Sequence, residues 1–228
     1  MAKDKKNTQV DNLTEVESAL TRTEQFLESN SKLIGIVIGA IVVVAVGYLG
    51  LNKFYLEPRS KEAQEQMFKA QNYFEKDSFN LALNGDGNNP GFLDIIDDFG
   101  STDAGNLSRY YAGVSYLNMG QYDNAITYLK KFSTKDLLLG PISVGAQGDA
   151  QLELGKTDKA LELYTEAYKM NDNELTTPIY MLKAGELLES SSKQDEALKI
   201  YETIKLKFPE STEGRSIDKY IARAKAKM

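Results

Sequence analysis

The sequence predicts an all-α chain in which a single N-terminal transmembrane helix is followed by a solenoid of paired helices that ends in a capping helix. Three observations predict it: an uncharged apolar run at residues 33–51, a set of small and aromatic residues that recurs about every 35 residues, and the absence of His and Cys from 228 residues. The run supplies a span and the recurrence supplies stacked helix pairs. The missing imidazoles and thiols remove most metal sites, disulfides and cysteine nucleophiles, leaving only carboxylate- or lysine-based enzyme chemistry. With 27 Lys plus Arg against 33 Asp plus Glu, the net charge is −6, which speaks against a nucleic-acid binder because phosphate neutralisation needs clustered cations.

The apolar run reads LIGIVIGAIVVVAVGYLGL, and its roughly 19 residues cover ~28 Å as a helix, about one hydrocarbon core. Lys32 and Lys53 bracket it, Tyr48, Phe54 and Tyr55 are placed as interfacial anchors, and Pro58 is expected to interrupt the helix just beyond. A buried core helix would carry a polar face, and a cleaved signal peptide would follow a shorter leader. Lysines and arginines on the two flanks balance, so orientation rests on topology: an uncleaved span after a short leader leaves the N-terminus in the cytoplasm. In the leader, residues 1–32, Leu13, Val16, Leu20 and Leu27 recur at helical spacing among acidic residues. This amphipathic helix either meets a partner protein or simply extends the transmembrane helix.

Beyond the span (33–52) we expect a linker helix with a degenerate first repeat at 53–100, then three repeats and a capping helix at 101–228. The clearest repeat holds Ala112-Gly113, Tyr116, Gly120, Ala125, Tyr128 and Leu129; Gly148, Gly155, Ala160 and Tyr164 follow at an offset of about 35, and Ala184-Gly185, Ala197, Tyr201 and Pro209 form a third copy. These residues resemble the tetratricopeptide repeat, with a small pair in helix A, a glycine-bearing turn, an alanine early in helix B, an aromatic four residues on and a late proline. The resemblance implies a tetratricopeptide-repeat α-solenoid. Small residues let paired helices approach closely, and the aromatics fill the space between pairs. Phe132 stands where a small residue is usual, the second copy lacks the late proline, and Ser192 replaces the turn glycine.

Upstream, Ala63, Phe68, Ala70, Tyr73 and Phe74 form a stripe on a degenerate helix A, and Phe92, Leu93, Ile95 and Ile96 on a short helix B. Downstream, Ile217, Tyr220 and Ile221 oppose Lys219, Arg223, Lys225 and Lys227 on one capping helix. Repeat register places Tyr110, Val114, Leu117 and Asn118 in the concave groove, with Asp149, Leu152 and Glu153 from the second repeat and Leu182, Glu186 and Glu189 from the third. That groove is acidic and apolar, suited to an apolar or basic peptide. No catalytic, cofactor or metal site is expected. The loop at Asn84, Asp86 and Asn88 spaces oxygens as a calcium loop does, but it lacks the glycine at its sixth position and has Ile95 where the bidentate glutamate belongs. Asp94, Asp97 and Asp98 are read as a solvated helix face.

The layout of leader, span and repeat domain is similar to that of the YfgM family, ancillary subunits of the Sec translocon in Gram-negative bacteria. The segment Thr23-Glu24-Gln25-Phe26-Leu27-Glu28-Ser29-Asn30-Ser31-Lys32 looks like that family's approach to the span. The resemblance implies a non-enzymatic inner-membrane protein with a cytoplasmic N-terminus and a periplasmic repeat domain. It further implies SecYEG and a PpiD-like periplasmic chaperone as partners in helping proteins that emerge from the translocon. Residues alone support an anchored interaction scaffold, which leaves another envelope complex (secretion, motility or cell division) as the alternative partner, and an enzyme built on Asp97 and Asp98 as an alternative of a different class.

Overall fold

The structure, a computed structural model, describes residues 29–228. The leader helix expected through Leu13 to Leu27 lies outside the described residues. Every element among the described residues is helical. The chain divides into two compact units, Met1–Pro58 and Arg59–Met228.

In the first unit, α1 spans Ser31–Leu51 and buries none of its residues. A side chain added at Gly35, Gly39, Gly47 or Gly50 would meet nothing within 4 Å. An isolated helix that exposes Val and Ile all round is disfavoured in water but stable in hydrocarbon, where its backbone groups are already satisfied. Its length and composition are sufficient to cross a membrane. Pro58 does not interrupt the chain as expected. A π-helical turn at Asn52–Leu56 precedes it, in which the Glu57 N–H donates to the Asn52 carbonyl, and α2 begins at Glu57. The wider turn gives the proline ring room where a regular turn would clash with it.

In the second unit, α2 (Glu57–Phe74) buries Ala63, Met67 and Ala70, a spacing of four and three. The expected stripe is corrected at one residue: Phe68 is 62 % exposed, because it lies one position, about 100° of helix rotation, off that line. A short helix that the sequence does not predict, α3 at Phe79–Asn84, buries Ala82 and Leu83. Helix α4, Phe92–Phe99, follows the loop. Phe74 meets Phe79, Phe92 and Tyr111 edge-on at 5.6, 6.4 and 5.0 Å, and Phe92 stacks on Tyr111 at 5.1 Å. This aromatic cluster ties α2, α3 and α4 to Tyr111 in the helix that follows.

Three helix pairs come next: α5 (Asp103–Asn118) with α6 (Tyr122–Lys131), α7 (Leu139–Glu153) with α8 (Thr157–Met170), and α9 (Thr176–Ser190) with α10 (Gln194–Lys207). Close approach within each pair is set by one glycine. A Cβ at Gly113 would sit 2.5 Å from Leu129, at Gly148 2.6 Å from Tyr164, and at Gly185 2.4 Å from Tyr201. Ala125, Ala160 and Ala197 are fully buried at the matching places of the partner helices. Ala125→Leu is therefore expected to destabilise the fold by about 1–3 kcal/mol through overpacking. An unchanged urea midpoint would contradict this packing register.

The turns inside the pairs need left-handed backbone, with φ of 73° at Gly120, 71° at Gly155 and 60° at Ser192. Ser192 thus takes the conformation of the glycine it replaces, and its Cβ crowds the following carbonyl. Ser192→Gly should stabilise the protein by about 0.5–1 kcal/mol, the strain relieved exceeding the added freedom of the unfolded chain. Thermal unfolding checks it, and a lowered Tm would show the site to be unstrained.

Phe132 needs no small replacement because α6 has ended at Lys131; the residue is extended and packs on Tyr110 at 5.5 Å. The capping helix is two helices, α11 (Thr212–Ser216) and α12 (Asp218–Ala226), separated at the buried Ile217. A motif missed in the sequence starts α5 and α11 alike. Thr102 and Ser211 donate their hydroxyls to the carbonyls of Phe99 and Phe208 and accept from the N–H of Gly105 and Gly214. The spacing Phe-x-x-Thr/Ser-x-x-Gly was legible, since a Cβ at either glycine would strike that same phenylalanine carbonyl, at 2.0 and 1.9 Å.

Candidate functional site

Helices α5, α7 and α9 carry the residues that register assigns to the groove, and the structure treats them unequally. Tyr110 is half-buried between Tyr111 and Phe132, at ring separations of 5.6 and 5.5 Å. Its counterpart in the second repeat is Gly145, and the ring of Tyr180 from α9 folds over that glycine, 1.9 Å from where a Cβ would be. Burial, then the negative charge of Asp149, raises the Tyr180 hydroxyl above the usual tyrosine range. At these two positions the space is taken by the protein's own tyrosines.

Asp149 is partly committed. It accepts from the Tyr164 hydroxyl at 2.6 Å and from the Lys183 ammonium at 2.6 Å, and Lys183 also lies 5.4 Å from the Tyr164 ring centroid. Burial, followed by the hydrogen bond to Asp149, pushes the Tyr164 hydroxyl up. The same arrangement recurs at Glu189, whose side chain is 3 % exposed and so leaves the candidate groove altogether. Arg223 donates from Nε and Nη2 at 2.8 and 2.7 Å, Lys227 donates at 2.9 Å and the Tyr201 hydroxyl at 3.2 Å. These bonds, the Arg223 pair first, hold the Glu189 carboxyl down at about 2 against burial. In both networks the carboxylate and the cation of the next helix A or cap lie 34 residues apart. Each links one repeat to its successor.

What stays open is smaller than the sequence implied. Asn118, Leu152, Glu153 and Glu186 are exposed, and Val114, Leu117 and Leu182 are half-buried. Glu153 accepts from the Tyr122 hydroxyl at 3.3 Å and enters none of the ion pairs among the described residues. At the first junction the network is absent: Val114 and Leu117 stand where later repeats carry the carboxylate, and Leu129 replaces the tyrosine. The open surface is apolar with an acidic edge.

The loop with calcium-like spacing is closed on itself. Asp86 accepts from the Asn88 and Asn89 N–H groups at 2.9 and 2.7 Å and from the Tyr73 hydroxyl at 2.7 Å, which together, the tyrosine bond first, lower its carboxyl below the usual range. No group of three potential metal ligands occurs among the described residues. Asp97 and Asp98 are exposed, and Asp94 accepts from the Gly91 N–H at 3.1 Å to start α4.

A family model described as tetratricopeptide repeat matches residues 107–136 and 180–211, the first and third full helix pairs. Among solved structures, the chain is similar to a Podosopora anserina chain described as a putative kinesin light chain with nearly identical TPR-like repeats, and to a single-substitution form of that same chain. Each has 15% identity and a TM-score of 0.57, with 74% of this chain and 87% of that chain covered. At that identity the likeness concerns the fold. A search of curated proteins gave no match. The two matched segments, each one helix pair, read as tetratricopeptide repeats, and the pair between them repeats their glycine contact, which supports a protein–protein interaction scaffold.

Proposed function

We propose that the chain is a membrane-anchored, non-enzymatic scaffold whose repeat domain lies in the periplasm and associates with the Sec translocon, assisting proteins that emerge from it. One observation carries the reading: an unburied apolar helix precedes a repeat array that keeps an apolar, acid-edged surface at Leu117, Leu152 and Glu153. The resemblance of the 23–32 segment and of the layout to the YfgM family supplies the partners, SecYEG and a PpiD-like chaperone. A scaffold for another envelope complex rests on the same surface.

The test is a detergent-solubilised pull-down of the full-length chain from native membranes, compared with a Leu152→Ser/Glu153→Lys variant. Both positions are exposed, so the variant keeps its fold. Recovery of SecYEG by the parent and its loss in the variant is the expected result. Recovery of a different defined complex would replace the translocon and keep the scaffold; equal recovery by both chains would remove the groove from the reading.

A further inference from the structure

We infer that a second, separate docking surface lies on the edge formed by the loops between helix pairs, and that it takes a segment in which an aliphatic side chain is flanked by Lys or Arg. It goes beyond the groove, which lies on another set of residues. The loops entering α7 and α9 are built alike: the Asp136 carboxylate accepts from the N–H groups of Leu138 and Leu139, and the Asn173 side chain from those of Leu175 and Thr176. Each leaves a leucine at the helix start turned outward, Leu138 38 % and Leu175 64 % exposed. Asn171 bonds the Leu137 carbonyl at 3.3 Å, so the two loops are neighbours.

Ile179, one turn into α9, joins Leu175 as the floor of a shallow cleft of about 370 Å³ whose rim carries Glu174, Glu210 and Glu213. None of these carboxylates enters an ion pair among the described residues. Arg215, the cation at the cleft, turns its guanidinium to the Glu210 carbonyl. An apolar floor inside an acidic rim is complementary to an aliphatic side chain between cations. Contact with the floor would supply affinity, and the rim would select sign and speed encounter.

The probe is a fluorescein-labelled nonamer of repeating Lys-Leu-Lys, titrated by anisotropy against the full chain in lipid nanodiscs, with a Glu-Leu-Glu nonamer as control. Leu175→Ser/Ile179→Ser should weaken Lys-Leu-Lys binding at least tenfold. Glu174→Gln/Glu210→Gln/Glu213→Gln should weaken it and flatten its salt dependence, Glu162→Gln/Glu166→Gln, exposed on α8, should leave it unchanged, and Leu152→Ser/Glu153→Lys, measured alongside, reports entry of the peptide into the groove. Circular dichroism verifies that each variant is folded. Binding that survives the Leu175/Ile179 change, binding of the Glu-Leu-Glu nonamer with equal strength, equal losses in the edge and groove variants, or no binding at all would each overturn the proposal. Loss through the groove variant alone would do so while supporting the groove.

Discussion

Arg223→Ala/Lys227→Ala should cost about 3–5 kcal/mol, more than removal of the carboxylate those two side chains serve. The asymmetry follows from burial. Glu189 is 3 % exposed, whereas Arg223 and Lys227 are 47% and 53% exposed. Stripping the cations leaves an anion in a largely closed site with one tyrosine hydroxyl and whatever water enters past the shortened side chains, while Glu189→Ala frees two cations that water readily takes back, at about 1–2 kcal/mol.

Acid gives the same prediction a second reading. The folded-state pKa of Glu189 is lowered to about 2 from an ordinary 4.5, so its stabilisation is complete above 4.5 and is lost as pH falls towards 2. In the doubly substituted chain burial acts without the cations and protonation relieves it, so the gap between the two proteins should close on acidification. Urea unfolding at pH 7 and pH 3 measures both. A double variant no less stable than Glu189→Ala at pH 7 would dismiss the pair as a surface ornament.

Phe92→Ala is the second large effect, at about 3–5 kcal/mol. Phe92 is fully buried, stacks on Tyr111 of α5 and meets Phe74 of α2, so its loss opens a cavity where α2, α4 and α5 meet. In a repeat array stability is carried by nearest-neighbour interfaces, so amide exchange should quicken most in α2 to α5 and least in α9 to α12. A loss below about 1 kcal/mol, or uniform acceleration, would mean that this end packs more loosely than its ring geometry indicates.

The register of the full repeats was legible because helix pairing forces particular residue sizes at particular places. Only a glycine fits at 113, 148 and 185, and the sequence has no freedom to hide that. The site was legible in part. Register says which face of α9 Glu189 occupies, but not that α12 reaches across to it, because that contact belongs to the next element. A signal existed: a carboxylate followed 34 residues later by a cation, at 149 with 183 and at 189 with 223. Phe68 and Met67 show a different limit, since two adjacent apolar residues on one helix compete for one stripe and only packing decides. Helix α3 has six residues, too few for periodicity to register.

The 34-residue link gives the array a direction in time as well as in space. A ribosome releases Glu189 long before Arg223, so a nascent chain carries an anion whose burial is untenable until α12 has emerged. The third helix pair can therefore close tightly only once α12 has been made. Helix α12 and the lysine that follows it act as a latch: a chain cut before them keeps every repeat motif yet lacks the two charges that let the third pair lock.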